Sequence, residues 1–341
     1  MKMRLVLPLS LLLAAVTACA SVSPPQQPAL QQNAETRPTG PQTLTLAIQR
    51  EPTEGFIGFS GGSRRGGANN AQDIVHNRLV IADESGAIEP QLATDLISVD
   101  NGTWRINPDG SMDTIWRLRP NVTWHDGTQF TAEDLLFGFT VKKDPAVPWR
   151  SSGPAELMES AQAVDAQTFA VRWASPYFGA NTAPDLTPLP KHLLEAAYLA
   201  DRANFLSYPG HSTEFVGLGP YRLQTWQAGS HMEFVRYDGY YGGRPFFDRV
   251  VLRFLSDPNT MVANILAGEV DVLVPLGVDV EAAVDVRRRW ENTGNHVRFI
   301  LTDLLWLVDI QHRPEYARPA DGLTNREVRA GLLHAIDRQT L

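Results

Sequence analysis

Alternation of polar and apolar residues predicts several β-strands in this chain. Residues 43–48 read Thr-Leu-Thr-Leu-Ala-Ile, and this period of two is typical of a strand with one buried face. The same reasoning predicts further strands at residues 114–119, 122–124, 221–226, 232–236, 249–254, 270–274, 296–301 and 305–310. The folded body therefore begins near residue 43.

Helices are predicted where apolar residues recur at helical spacing behind a capping residue. Thr131, with Asp134 three positions later, opens a helix over residues 132–143, and Asp257-Pro258 opens one that runs to Ala267. Strands and helices that mix without strict βαβ repetition indicate an α/β (mixed α+β) body of more than one lobe. Further helices are predicted at residues 191–203, at 281–290 and from Asn325 onward, the last with a buried stripe of Val328, Leu332, Leu333 and Ile336.

Residues 55–70 form a glycine-rich stretch without either pattern and are predicted to be a long loop. Phe59 and Arg64 lie within it. A loop of this length inside a compact domain is usually functional or disordered. A separate run of arginines, 287–289, is predicted to be a solvated helix face.

Residues 1–18 have the layout of a secretory signal peptide. Two basic residues precede an apolar run over 5–16, which is shorter than the roughly 20 residues that a membrane span needs. Residues 16–19, Val-Thr-Ala-Cys, resemble the lipobox of bacterial lipoproteins, so Cys19 is the predicted lipidation site. The alternative is a plain signal peptide with a buried cysteine. Residues 19–42 are rich in Pro, Gln, Ser and Thr and are predicted to be a flexible tether.

Composition and charge argue against several classes of protein and of binding site. The chain has 341 residues, 43% hydrophobic and 20% charged, which suits globular domains and excludes wholesale disorder. Its net charge of −8 argues against nucleic acid as a partner, because nucleic-acid binders usually present a dense basic face. A single cysteine excludes an internal disulfide and, with eight scattered histidines, argues against a structural zinc site. We therefore expect no metal and no cofactor.

The most specific feature of the sequence is the stretch Trp124-His125-Asp126-Gly127-Thr128-Gln129-Phe130-Thr131-Ala132-Glu133-Asp134. With it, in order along the chain, come shorter stretches at residues 89–93, 217–221, 257–260, 266–271, 325–330 and 335–338. Together they resemble the extracytoplasmic solute-binding proteins of the peptide and nickel class, family 5, which deliver ligands to ATP-binding-cassette (ABC) importers.

The resemblance implies a periplasmic-binding-protein-like fold, a two-lobe clamshell of the peptide-binding type that closes on its ligand. It implies a first lobe over residues 43–301, with an inserted subdomain near 56–205, and the start of a second lobe over 302–341. Because family members usually run well beyond this length, the second lobe is expected to be largely missing.

The resemblance also suggests which residues line the ligand cleft. Phe59, Arg64, Trp149 and Trp306 are at places that match cleft-lining positions of the family. The guanidinium of Arg64 offers a two-pronged donor to the carboxylate of a peptide-like ligand. The alternatives are core packing for the three aromatic residues and a solvated loop position for Arg64.

Two departures from the family pattern concern the ligand. The stretches 51–53 and 76–79 differ from the motifs that the family usually carries there. Since both lie near the expected cleft, the ligand stays open among a peptide, a nickel chelate, an oligosaccharide and an opine-like compound.

His125, Asp126, Glu133 and Asp134 cluster within ten residues and could suggest acid–base catalysis. The structural interpretation is stronger, because Asp126 suits the turn, Asp134 suits the helix cap and Glu133 favours the positive end of the helix dipole. We therefore expect no catalytic residue.

The leading hypothesis is a membrane-anchored lipoprotein, outside the cytoplasm, that captures oligopeptides or similar small ligands for an ABC permease. One alternative is a truncated family member that binds a protein partner and does not serve transport. The other, a secreted hydrolase, is weakened because the sequence has no Gly-x-Ser-x-Gly and no His-Glu-x-x-His motif.

Overall fold

The computed structural model describes residues 42–52, 56, 68–83, 85–148, 153–183, 186–274, 278–299, 311, 313 and 315–337. The contacts between residues group the chain into two compact units, Met1–Gly277 and Val278–Leu341. The predicted lobe boundary after residue 301 stays a prediction.

The strands and helices alternate irregularly along the chain. The strands are β1 (Thr43–Ile48), β2 (Val80–Ala82), β3 (Ile88–Pro90), β4 (Trp104–Ile106), β5 (Met112–Arg117), β6 (Met158–Asp165), β7 (Thr168–Trp173), β8 (Tyr221–Gln227), β9 (His231–Arg236), β10 (Arg249–Phe254) and β11 (Val272–Leu273). The α-helices are α1 (Ala68–Val75), α2 (Ala132–Lys143), α3 (Gly153–Leu157), α4 (Lys191–Ala200), α5 (Pro258–Ala267), α6 (Val280–Arg289), α7 (Ala320–Thr324) and α8 (Arg326–Ala335).

A five-stranded sheet in the order β11-β1-β10-β9-β8 organises the first core of the first unit. β1 pairs in parallel with both β10 and β11, whereas β9 is antiparallel to its two neighbours. The buried side chains on the core face of this sheet include Ile48, Phe234 and Leu252, and they pack with Val75 of α1. Burial of these apolar side chains is the main stabilising contribution at this sheet.

A four-stranded antiparallel sheet in the order β4-β5-β7-β6 organises the second core. Along β5 the side chains alternate, so that Met112, Thr114 and Trp116 are buried. Trp173 on β7 is fully buried, and its indole N–H donates to the Thr114 hydroxyl at 3.0 Å. The period of two in the sequence thus becomes one packed face and one solvated face.

Helix α2 contributes to both cores of the first unit. Its Leu135 belongs to the core on the four-stranded sheet, whereas Phe137 and Val141 belong to the core on the five-stranded sheet. The helix that begins in the stretch with the strongest family resemblance therefore joins the two cores.

Most of the predicted elements are confirmed, and several to the residue. β1, β10, α2 and α5 have the predicted bounds, and the arginine run at 287–289 is exposed on α6 as predicted. The predicted strand at 122–124 is wrong, because only Thr123 pairs, in an isolated bridge with Gln129. The predicted loop over 55–70 is too long, because α1 begins at Ala68.

Two predictions for the second unit are wrong in the part that the structure describes. Residues 296–299 form no strand, since alternation yields a strand only where a partner strand pairs with it. The predicted stripe on α8 is not buried: Val328, Leu332, Leu333 and Ile336 are 42%, 46%, 54% and 39% exposed. Helical spacing gives an apolar face, but burial needs an element that covers it. The predicted strand at 305–310 lies outside the described residues.

Candidate functional site

The carboxyl ends of the parallel strands define a candidate ligand site in the first unit. β1, β10 and β11 end at Ile48, Phe254 and Leu273 on the same edge of the sheet. In open α/β sheets, ligands bind just outside the carboxyl ends of the strands. We call this edge, with residues 49–52 after β1 and 226–230 at the β8–β9 turn, the carboxyl edge.

Glu51 connects the two parts of the carboxyl edge. Its Oε1 accepts a hydrogen bond from the Trp226 indole N–H at 2.5 Å, and its Oε2 accepts one from the Gly229 backbone N–H at 2.9 Å. Hydrogen bonds to a charged acceptor are about twice as strong as neutral ones. The chain that leaves β1 is therefore held against the β8–β9 turn.

Aromatic rings continue inward from the carboxyl edge. The Phe56 ring lies 5.6 Å from the Trp226 ring and 5.0 Å from the Phe215 ring, centroid to centroid. Phe215 lies 5.6 Å from the His76 ring, and His76 stacks on Trp124 at 5.9 Å with an interplanar angle of 20°. Five rings thus form an aromatic row: Trp226, Phe56, Phe215, His76 and Trp124. The row connects the carboxyl edge to residues 124–134, which we call the family-like stretch.

His125 holds the segment 217–219 by its backbone and its ring. The Gly217 N–H donates to His125 Nδ1 at 3.1 Å, the His125 ring N–H at Nε2 donates to the Gly219 carbonyl at 3.0 Å, and the His125 backbone N–H donates to the Gly217 carbonyl at 3.0 Å. Because Nδ1 accepts a bond, the neutral tautomer fits this arrangement. Burial lowers the pKa of His125 to about 4, so the ring stays neutral at pH 7.

Gly217 and Gly219 allow the same segment to lie directly on the end of α1. A Cβ atom on Gly217 would lie 1.9 Å from the Val75 carbonyl oxygen, and one on Gly219 would lie 2.4 Å from the Val75 carbonyl carbon. The Gly219 N–H donates to that same Val75 oxygen at 2.9 Å. Only glycine permits this approach, which explains the glycines of the 217–221 stretch.

Asp126 and Asp134 serve the turn and the helix start, as predicted. Asp126 accepts from the Thr128 backbone N–H at 3.0 Å and contacts His192 Nε2 at 2.7 Å. Burial raises the pKa of Asp126, but the bonds from His192 and Thr128 together lower it below its usual value. Asp134 accepts from the backbone N–H groups of Thr131 at 2.9 Å and Lys191 at 3.1 Å, while burial raises its pKa.

The charged groups of the family-like stretch are thus engaged with the protein itself. Glu133 pairs with Lys191 at 2.9 Å, and the Trp124 indole donates to Asp134 at 3.3 Å. A carboxylate or imidazole needs a substrate atom within hydrogen-bond reach to act as an acid or base. These contacts support the structural interpretation of the stretch.

His76 and Asn77 are buried and engaged with other side chains, which the sequence did not predict. His76 and Asn77 are 2% and 1% exposed, and the Asn77 amide donates to the hydroxyls of Tyr240 at 3.0 Å and Tyr241 at 2.8 Å. Burial lowers the pKa of His76 to about 3. The departure from the family pattern at these positions was the signal available in the sequence.

The predicted cleft residues Phe59, Arg64, Trp149 and Trp306 lie outside the described residues, as does Cys19. Their assignment to the cleft stays a prediction. Glu51 and Trp226, which it does bring together, were not predicted as site residues. Their signals were the altered stretch at 51–53 and a large aromatic residue at the end of a predicted strand.

Metal and membrane features are absent from the part of the chain that the structure describes. No cluster of three or more His, Cys, Asp or Glu side chains there is arranged to hold a metal ion. None of its helices combines the length and the apolar character needed to cross a bilayer.

Comparison with known proteins gives consistent matches. The family model for bacterial extracellular solute-binding proteins, family 5 Middle, matches residues 87–341. The oligopeptide-binding protein AppA of Bacillus subtilis is 23% identical over 223 residues, which cover 63% of this chain and 38% of that protein. The chain thus spans less than half the length of this relative.

Solved structures show the same fold. The structure of Bacillus subtilis AppA with a nonapeptide matches with a TM-score of 0.59 and 21% identity, over 74% of this chain and 47% of AppA. NikZ from Campylobacter jejuni in complex with Ni(L-His) matches with a TM-score of 0.59 and 24% identity, over 74% of this chain and 46% of NikZ. The periplasmic-binding-protein fold is thus confirmed, and the chain spans less than half the length of each of these two structures. The chain belongs to the bacterial extracellular solute-binding proteins of family 5.

Proposed function

We propose that this protein captures oligopeptides or similar small ligands outside the cytoplasm and delivers them to an ABC permease. The observation that carries the proposal is the carboxyl edge, where Glu51 fixes Trp226 and the turn at Gly229 beside the ring of Phe56. Aromatic walls with a few oriented polar groups are typical of small-molecule sites. The family membership supports binding as the activity.

The protein acts by binding and not by catalysis in this proposal. The titratable groups that could suggest chemistry, His125, Asp126 and Asp134, are engaged with backbone and side-chain partners of the fold. Neutral His125 also accepts and donates within the protein, so neither of its ring nitrogens is left for a substrate.

An oligopeptide is the ligand class that we propose first. AppA, one of the relatives described above, binds a nonapeptide in its structure. In this proposal Phe59, Trp149 and Trp306 supply aromatic walls, and Arg64 pairs with a ligand carboxylate.

A titration tests the proposed ligand. We expect calorimetric titration of the purified chain with a nonapeptide to give saturable binding, and Arg64→Ala to weaken it about tenfold or more, because a hydrogen bond to a charged group contributes about 1.5–3 kcal/mol. Arg289→Ala is the matched control, since Arg289 pairs with Asp285 at 2.8 Å on the exposed face of α6. Equal affinities of both variants would refute the role of Arg64, and absence of saturable binding would refute peptide capture.

We also propose that Cys19 carries the lipid anchor. Each buried methylene of an acyl chain contributes about 0.8 kcal/mol, so two or more chains hold a protein firmly at a bilayer. The intact mass of the protein extracted from membranes tests this: acylation adds mass at Cys19, and Cys19→Ser moves the protein to the soluble fraction. An unmodified mass, or a membrane-bound Cys19→Ser variant, would refute the anchor.

One observation favours a second function, the binding of a protein partner. The apolar stripe of α8, which includes Leu332 and Leu333, is about half exposed. Contiguous exposed apolar surface often marks an interaction site. This function predicts a co-purifying protein that Leu333→Glu releases and no stabilisation by a peptide.

A further inference from the structure

A cavity on the four-stranded sheet shares no residue with the carboxyl edge of the five-stranded sheet. Its volume is about 220 Å³, which corresponds to about seven waters at roughly 30 Å³ each. This volume suits a solute of the size of one amino acid. The cavity, which we call the sheet cavity, is lined by residues that include Asp95, Leu96, Ile97, Thr103, Ile115 and Arg117.

The loop before β4 holds one wall of the sheet cavity in a fixed shape. The Asn101 side-chain amide donates to the Leu96 carbonyl at 3.0 Å, and the Thr103 hydroxyl accepts from the Ser98 backbone N–H at 3.0 Å. The Ile115 N–H donates to the Thr103 carbonyl at 2.8 Å, which joins this loop to β5. A preorganised site loses less conformational freedom when it binds a ligand.

The other wall of the sheet cavity is the outward face of β5. Because Thr114 and Trp116 are buried beneath the sheet, Ile115 and Arg117 alternate with them towards solvent. Ile115 is 36% exposed, and Ile97 across the cavity is buried. These branched apolar groups favour an aliphatic side chain, because its contact with them removes apolar surface from water.

Arg117 brings a positive charge that the protein does not neutralise by direct pairing. Two other arginines on the same face of the sheet do have partners: Arg105 pairs with Asp113 at 3.4 Å, and Arg172 pairs with Asp109 at 2.9 Å. The exposed guanidinium of Arg117 makes no ion pair or hydrogen bond with any residue that the structure describes. A guanidinium binds a carboxylate through two parallel hydrogen bonds. Arg117 is therefore suited to a ligand carboxylate.

Asp95 supplies the opposite charge on the same cavity. The Thr94 backbone N–H donates to the Arg117 carbonyl at 2.8 Å, so Asp95 follows a direct neighbour of Arg117. The Asp95 carboxylate accepts from the Thr94 hydroxyl at 2.8 Å. A carboxylate has about four lone-pair sites, so Asp95 has capacity for a further donor. An ammonium group is a donor that complements its charge.

We propose that the sheet cavity binds a free aliphatic α-amino acid as its zwitterion. The ligand carboxylate pairs with Arg117, the ligand ammonium pairs with Asp95, and the aliphatic side chain contacts Ile115 and Leu96. This site is additional to the ligand site at the carboxyl edge, and its occupancy does not depend on peptide capture there.

Saturation-transfer NMR titration of the full chain with L-leucine tests the site. The comparison ligands are leucinamide, which lacks the carboxylate, and N-acetyl-leucine, which lacks the ammonium. We expect saturable binding of leucine and about fivefold weaker binding of each analogue, since an exposed ion pair makes a modest contribution. Arg117→Gln should remove the preference for leucine over leucinamide, and Asp95→Asn should remove the preference for leucine over N-acetyl-leucine. The matched control is Arg105→Gln, because Arg105 lies on the same face of the sheet and does not line the cavity.

Absence of saturable leucine binding would overturn the proposal. A preference for leucine over leucinamide that Arg117→Gln leaves unchanged would also overturn it, because the carboxylate would then bind elsewhere. A chain that binds leucine in the predicted way but does not bind a nonapeptide would support the sheet cavity and refute the proposed peptide capture alone.

Discussion

A methyl group at Gly217 should destabilise the first unit strongly. The Cβ of Gly217→Ala would lie 1.9 Å from the Val75 carbonyl oxygen, whereas such approaches below 3.0 Å essentially never occur, so the segment must move by at least 3.0 − 1.9, or 1.1 Å. That movement breaks the two bonds between Gly217 and His125 and the bond from Gly219 to Val75. At about 1 kcal/mol each, the loss is about 3 kcal/mol.

Urea unfolding followed by tryptophan fluorescence measures this loss. The control is Gly153→Ala, where a Cβ meets no atom within 4 Å and where the residue begins helix α3. We expect the control to be as stable as the wild type or up to about 1 kcal/mol more stable, because alanine favours a helix over glycine. A Gly217→Ala protein within about 0.5 kcal/mol of the wild type would refute the close approach described here.

Three further predictions concern other parts of the chain. Glu51→Gln keeps an acceptor for Trp226 but removes the one for the Gly229 N–H, so hydrogen exchange at Gly229 should be about tenfold faster; unchanged exchange would show that Glu51 does not hold the turn. Folding lowers the pKa of His125 from 6.5 to about 4, so the unfolded chain binds the proton more readily than the folded chain. The free energy of unfolding should therefore fall as the pH drops from 6.5 towards 4, by roughly 3 kcal/mol for this residue. Urea unfolding across this range should show a shallower dependence for His125→Gln, and an identical dependence would contradict the assignment. Leu333→Glu should suppress self-association in sedimentation velocity, since Leu333 is 54% exposed on the apolar stripe of α8, whereas a wild type that is monomeric at all concentrations would contradict this.

Elements with strong local signals could be predicted from the sequence. Helix α2 has its predicted bounds because Thr131 and Asp134 cap its start and Asp144-Pro145 follows its end. In β1, likewise, the alternation of polar and apolar residues that predicts the strand is contained within its six residues. These signals are contained in neighbouring residues, so no knowledge of the tertiary structure is needed to read them.

Features that depend on distant partners could not be predicted. The apolar spacing of α8 is real, but exposure of its stripe depends on which elements cover it. The role of Glu51 depends on a hydrogen bond from Gly229, which is 178 positions away in the sequence. The role of His125 depends on one from Gly217, which is 92 positions away. Local pattern alone placed His125 in a cluster that could suggest catalysis, and it gave no role to Trp226.

In the function that we propose, a small ligand binds at the carboxyl edge of the five-stranded sheet. Photo-crosslinking tests it most directly: the full chain is irradiated with a nonapeptide that carries a photoreactive side chain, and the attachment sites are mapped by mass spectrometry. We expect crosslinks at residues 49–56 and 226–230 that excess unlabelled peptide suppresses. Suppressible crosslinks confined to other regions, or no suppressible crosslink at all, would contradict it.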